Sequence, residues 1–233
     1  MSQTSLNLVA ISIFLVTLST LAGSLFNLSP TIPAIATFSL LGLATLDSFS
    51  LQGKGGALVI DLLARTSPQY RDRIVHHEAG HFLIARLLNI PITGYALSAW
   101  EAFKQKQPGQ GGVSFADDEL AFQLQQGALS AQLIDRYCTI WMAGIAAETL
   151  VYDNAEGGTD DLNKLRTVLS PLGFSPPAQE QKQRFCALQA RTLLQENWTA
   201  YQALVQAMQG RASVAECYSV IEQNQANQIL GKG

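Results

Sequence analysis

Histidine is rare in this chain, and its three copies, His76, His77 and His81, fall within six consecutive positions. His77-Glu78-Ala79-Gly80-His81 is an H-E-x-x-H pattern. Residues four apart on a helix share a face, so His77 and His81 would present their imidazoles side by side. Two such nitrogens are half of a zinc site, and Glu78, one position on, is placed to act as general base on a metal-activated water. The chemistry this implies is metal-assisted peptide hydrolysis, with His77 and His81 as ligands and Zn2+ as the cofactor. The competing reading makes both histidines core residues and pairs Glu78 with Arg73 or Arg86. Concentration of every histidine in this one stretch, two of them at ligand spacing, favours the metal.

A helix must carry the motif, and the flanks supply one. Ser67 is a candidate N-cap, Pro68 sits where a helical N–H is dispensable, and Asn89-Ile90-Pro91 ends the run. Ile74, Val75, Phe82, Ile84, Ala85 and Leu88 make much of its surface apolar, so it should be buried. A catalytic zinc takes three protein ligands and keeps one position open. No histidine lies outside this stretch, and Cys138, Cys186 and Cys217 show no C-x-x-C spacing, so the third ligand should be a carboxylate. The cysteines read as buried free thiols in a reducing compartment. Glu148 lies mid-helix, where it could bind the metal or hydrogen-bond a ligating histidine. Asp160 and Asp161 open a helix after the bend Glu156-Gly157-Gly158, which could swing a carboxylate onto the metal. Residue types and spacing leave these three open.

Downstream of the motif, Ile92–Trp100 and Gly112–Phe115 have strand character, separated by a polar loop at Glu101–Gly111. They form either a substrate-pairing edge or a hairpin that caps the core. From Asp117 the pattern is helical. Helices are expected over Ala128–Tyr152, Asp160–Leu169 with Thr159 as N-cap, Phe185–Met208 and Val214–Gln223, with Pro171–Pro177 a loop. Gly144 reads as a close-packing point. The whole is mainly α, with a small β-hairpin.

Leu6–Leu28 contains no charged side chain and is long enough for the roughly 20 apolar residues that a bilayer span needs. Met1–Ser5 lacks the Lys/Arg region of a signal peptide. Ala34–Leu46 is shorter and, with the turn before it, could return as a second span. One or two N-terminal transmembrane helices are therefore expected, two being the preferred reading. Lys54, Arg65, Arg71 and Arg73 all follow the second run, and no Lys or Arg precedes it. That places the bulk of the chain on the cytoplasmic, stromal or matrix side. The expected organisation is an anchor over 1–50, a linker with a short helix over 51–66, a peptidase domain over 67–226 and a flexible tail over 227–233. With 14% charged residues and a net charge of −3 there is no basic patch for nucleic acid. Gln52-Gly53-Lys54-Gly55-Gly56 fails as a phosphate loop because Ser48 and Gly55 stand where Gly and Ser/Thr are required, so no nucleotide site is expected.

The HEAGH motif followed by Phe82–Ile90, then Ala143-Gly144-Ile145-Ala146-Ala147-Glu148, then Gly157-Gly158-Thr159-Asp160-Asp161-Leu162, resembles the peptidase domain of the FtsH-type membrane-anchored zinc proteases. Ala190–Met208 is similar to that family's ARELL-x-EN helix, and the likeness runs from about Arg71 to Val220 in conserved order. The resemblance implies that Asp161 is the third zinc ligand, with Glu148 and Asp160 behind the ligands. It implies a membrane-anchored zinc metalloendopeptidase acting on unfolded or membrane proteins. Two departures stand out. The family's AAA ATPase is not found in this sequence, so folded substrates would need delivery by a separate AAA ATPase, with a homo-oligomer or such an ATPase as the expected partner, and the family's usual Arg before Ala-Ala-Glu is Ile145.

Three alternatives differ in testable ways. An intramembrane protease would bury the motif in a hydrophobic span, which Tyr70, Arg71, Asp72, Arg73 and Arg86 oppose. A thermolysin-like enzyme would use Glu148 as ligand. A non-catalytic membrane assembly or chaperone-like subunit on a protease-derived fold would have no need of Glu78.

Overall fold

The computed structural model describes residues 67–105, 111–127 and 129–230, and before them only isolated positions between 13 and 39. Two units are present, Met1–Pro68 with Ser98–Gln110, and Gln69–Leu97 with Gly111–Gly233. Residues 98–110, inside the stretch expected to form the peptidase domain, thus group with the first unit. Among the described residues the elements run α1 (Pro68–Leu87), β1 (Ile92–Ala96), α2 (Ala99–Lys104), β2 (Gly112–Phe115), α3 (Asp118–Gln125), α4 (Ala131–Tyr152), α5 (Thr159–Leu169), α6 (Pro176–Glu196), α7 (Trp198–Gln209) and α8 (Val214–Leu230). The described residues are mainly α with a small two-stranded antiparallel sheet, as expected. Among the described residues no helix is long and apolar enough to cross a membrane. The runs Leu6–Leu28 and Ala34–Leu46 and the expected short helix at 56–66 lie outside the described residues, apart from isolated positions.

Helix α1 forms where its flanks require. It ends in a Schellman-type turn: Asn89 adopts φ 56°, and Ile90 N–H reaches back to Ala85 O at 2.9 Å. Val75, Ala79, Phe82, Leu83, Ile84 and Ala85 are buried along it. Each large side chain so buried contributes about 1.5–3 kcal/mol of hydrophobic transfer. Gly80 lets α1 approach α4 closely: a Cβ there would lie 2.6 Å from Ala143 O and 2.8 Å from Ala147 Cβ. Helices α4 and α6 form the most extensive helix pair, and α7 packs on α8. Tyr201 of α7 locks onto α1, donating its hydroxyl to His76 O at 3.0 Å and meeting His76 Nδ1 at 2.8 Å. Burial of His76 lowers its pKa, in keeping with a neutral packing residue.

Four local expectations are corrected. The first strand stops at Ala96, and Trp100 is helical. Ser98 caps α2, its hydroxyl accepting from Glu101 N–H at 3.1 Å, and the Ser-x-x-Glu signature prevailed over the aromatic and β-branched composition. Likewise Glu101–Gly111 is not a loop throughout, since 101–104 belong to α2. The stretch Phe185–Met208 is two helices. Its first begins at Pro176, a residue tolerated in a first turn, and Asn197 interrupts the run with its side chain bonded to Leu193 O at 2.9 Å. The last helix continues to Leu230, through much of the expected tail, from a capping box in which Ser213 and Glu216 bond each other reciprocally.

Strands β1 and β2 pair antiparallel, with Tyr95 opposite Val113 and Ala96 opposite Gly112. Val113 N–H donates to Glu78 Oε2 at 3.0 Å, so β2 lies against the motif helix.

Candidate metal centre

His77 and His81 lie on one face of α1 with ring centroids 4.7 Å apart. Each ring has one nitrogen occupied by an acceptor. His77 Nδ1 donates to Glu148 Oε1 at 2.7 Å, and His81 Nδ1 donates to Ile140 O at 2.7 Å. Both partners come from α4, so α4 sets both ring orientations. Both Nε2 atoms are thereby turned toward Asp161, the side from which a metal-binding histidine would present its lone pair once the Nε2 proton is displaced.

Both Nε2 atoms face one oxygen. Asp161 Oδ2 stands 3.0 Å from His77 Nε2 and 3.2 Å from His81 Nε2. Metal–donor bonds of ~2.0–2.1 Å at tetrahedral angles would space the donors about 3.3–3.4 Å apart, close to both histidine–aspartate separations, and the three atoms all lie within 4.8 Å of one another. Among the described residues, His77, His81 and Asp161 are the one group of this kind able to hold a metal. All three are buried, at 9%, 5% and 6% exposure. The donor set, two imidazoles and a carboxylate, suits zinc and other borderline divalent metals without selecting zinc alone.

Asp161 arrives through backbone geometry. Gly158 adopts φ 94°, and a Cβ on it would strike Ile145 Cγ1 at 2.3 Å. A Cβ on Gly157 would lie 2.6 Å from Glu148 Oε1. Only glycine fits either place, and the turn so made starts α5 with Asp161 pointing inward. Gly158, rather than Thr159, holds the N-cap position. Lys164, one turn on, contacts Asp161 Oδ1 at 3.3 Å and leaves Oδ2 for the histidines. Gly144 does more than pack helices: an added Cβ would fall 2.3 Å from His77 Nε2, so the ring lies against bare backbone.

The electrostatics favour a cation. Burial would raise Asp161, but the imidazoles facing it hold its carboxyl well below the usual range. Burial opposes ionisation of Glu148 as well, and is outweighed by His77 and by the backbone N–H groups of Glu156 and Gly157. Burial would lower His77, yet hydrogen bonds to Asp161 and Glu148 raise it to about 10. The pocket thus stabilises positive charge between two ionised carboxylates.

The sequence-derived residues separate clearly. His77, His81 and Asp161 converge. Glu148 sits on the other nitrogen of His77, away from that convergence. Asp160 is exposed and makes no hydrogen bond to the cluster, so it is not among the groups supporting the ligands. Glu78 is half-buried and pairs with neither Arg73 nor Arg86, which bond Glu148 and Glu222 respectively. Four participants escaped the sequence: Arg73, Lys164, the Ile140 carbonyl and the Val113 N–H. Only the first two left a signal, lying four residues before His77 and three after Asp161. The three cysteines are free and buried. No protein family matches this chain, and no curated protein is significantly similar to it.

Proposed function

We propose that this chain is a membrane-anchored zinc metalloendopeptidase of FtsH-like type. The observation that carries this reading is the convergence of His77 Nε2, His81 Nε2 and Asp161 Oδ2, with each imidazole's other nitrogen already committed. When bound there, Zn2+ supplies a Lewis acid that polarises a scissile carbonyl and makes water acidic enough to attack near neutral pH. Glu78, adjacent to His77 and half-buried, takes the proton from the attacking water and passes it to the leaving amine. Strand β2, which already presents Val113 N–H to Glu78, is placed to pair with an extended peptide beside that base.

An N-terminal anchor accords with the apolar runs at Leu6–Leu28 and Ala34–Leu46, and with the exposed apolar side chains of Ile13, Phe14, Leu18, Ile35 and Phe38. Unfolded or loosely folded membrane proteins are the substrates this arrangement suits. The test is zinc stoichiometry on the purified full chain, beside degradation of a casein-type unfolded substrate with and without chelator. Glu78→Gln should keep the metal and lose hydrolysis. A wild-type chain that takes up zinc but hydrolyses nothing, or a Glu78→Gln variant of undiminished rate, would sink the peptidase reading. The first of these outcomes would point to the non-catalytic assembly subunit.

A further inference from the structure

Arg73 stands one helical turn before His77 on α1, so the two side chains share a face. Both reach the same buried carboxylate. Arg73 Nη1 lies 2.8 Å from Glu148 Oε2, while His77 Nδ1 lies 2.7 Å from Oε1. Glu156 N–H at 2.9 Å and Gly157 N–H at 3.2 Å complete the set. An ionised carboxylate accepts through about four lone-pair sites, so Glu148, 2% exposed, is saturated. Of its four donors only Arg73 carries a charge that no accessible pH removes.

Arg73 is itself held. Its guanidinium stacks 4.4 Å over the Tyr152 ring, and its second terminal nitrogen bonds Asn154 Oδ1, with Glu156 Oε1 at 3.6 Å. Asn154 and Glu156 belong to the segment between α4 and α5, which ends in the Gly157-Gly158 turn that delivers Asp161. One side chain on the motif helix therefore grips both the carboxylate that orients His77 and the turn that carries the third ligand. A planar fork with two separate partners fixes direction as well as charge, which a lysine would not.

We propose that Arg73 is a positioning residue of the metal centre, acting through Glu148 on the His77 ring and through Asn154 on the approach of Asp161. The proposal rests on the metal-site reading above.

The experiment measures Zn2+ affinity of the full chain by competition with a chromophoric chelator. Arg73→Met should weaken binding by about ten- to hundredfold, the usual effect of losing a partner behind a ligand. Arg73→Lys should restore part of it. In a Glu148→Gln background, Arg73→Met should cost less than in the wild type, because one of the two links through which it acts is already cut. Arg86→Gln, which removes the 2.8 Å pair with Glu222 from the same helix, should leave the affinity unchanged. An Arg73→Met chain that binds zinc within about threefold of wild type, below the range for such partners, would overturn the proposal. So would an equal loss in both backgrounds, or an equal loss in Arg86→Gln. If circular dichroism shows that Arg73→Met does not fold, Arg73→Lys decides: weakened binding supports the proposal and wild-type binding ends it. Wild-type protein that takes no zinc removes the metal reading itself, an outcome distinct from unaltered binding by the Arg73 variants.

Discussion

Gly144→Ala is the sharpest perturbation this geometry offers, because stability and metal binding should respond differently. The added methyl would lie 2.3 Å from His77 Nε2, 2.5 Å from Cε1 and 2.6 Å from Cδ2, where ordinary contact begins near 3.4 Å. The ring would have to retreat by about 1 Å, whereas metal–ligand distances tolerate about 0.2 Å. It has no free direction in which to move, since Glu148 holds Nδ1 at 2.7 Å and Asp161 faces Nε2 at 3.0 Å. In the fold as a whole the terms nearly offset. Replacing a mid-helix glycine by alanine gains about 1 kcal/mol, and overpacking costs about 1–3 kcal/mol. The variant should therefore fold with a net loss of about 0–2 kcal/mol. Its zinc affinity should fall by more than the ten- to hundredfold typical of changes behind a ligand, because the ligand itself is displaced. Chelator competition reads the affinity, and thermal melting of the metal-free chain reads the stability. Gly173→Ala is the control. It strains a residue at φ 82° with nothing within 4 Å, so it should lower stability and spare the metal. A folded Gly144→Ala protein with wild-type zinc affinity would show that His77 does not bind a metal from this position.

Other consequences follow from particular contacts. Lys164→Met removes the half-exposed partner of Asp161 Oδ1 and should weaken zinc binding by a smaller factor than Arg73→Met, as read by the same competition. Leu194→Ala empties a fully buried position on α6 and should cost about 2–5 kcal/mol in chemical denaturation. Burial raises the Cys217 thiol from 9.0 to about 11, so the unfolded chain loses this proton first as pH rises. Its contribution to stability is complete below pH 9.0 and is lost as pH climbs through about 11, and Cys217→Ala should flatten that part of the alkaline unfolding profile.

Features encoded locally were legible, and those that depend on the path of the chain were not. The spacing of His77 and His81 declares a shared helical face because helix periodicity is fixed by the backbone. The Asn89 turn and the Gly157-Gly158 bend are legible for the same reason. Helix α2 was misread although its Ser98-x-x-Glu101 cap was in view, because the aromatic and β-branched residues around it argue equally for a strand. Asn197 divides α6 from α7 without a proline or glycine to announce it.

The choice among the three carboxylates shows the deeper limit. Glu148 and Asp161 both lie within 3.0 Å of the same imidazole, so nearness to His77 does not separate a ligand from a support. The side of the ring does. Glu148 meets Nδ1, where no other imidazole nitrogen converges, whereas Asp161 Oδ2 meets Nε2 and is also 3.2 Å from His81 Nε2. That difference is made by α4 carrying Glu148 behind the ring while the glycine turn returns α5 in front of it. A one-dimensional spacing rule has no term for front and back. Replacing Asp161 by Ala should therefore abolish tight zinc binding, and replacing Glu148 by Gln should only weaken it, by about ten- to hundredfold. The reverse order would mean that the ring faces the metal with its other nitrogen.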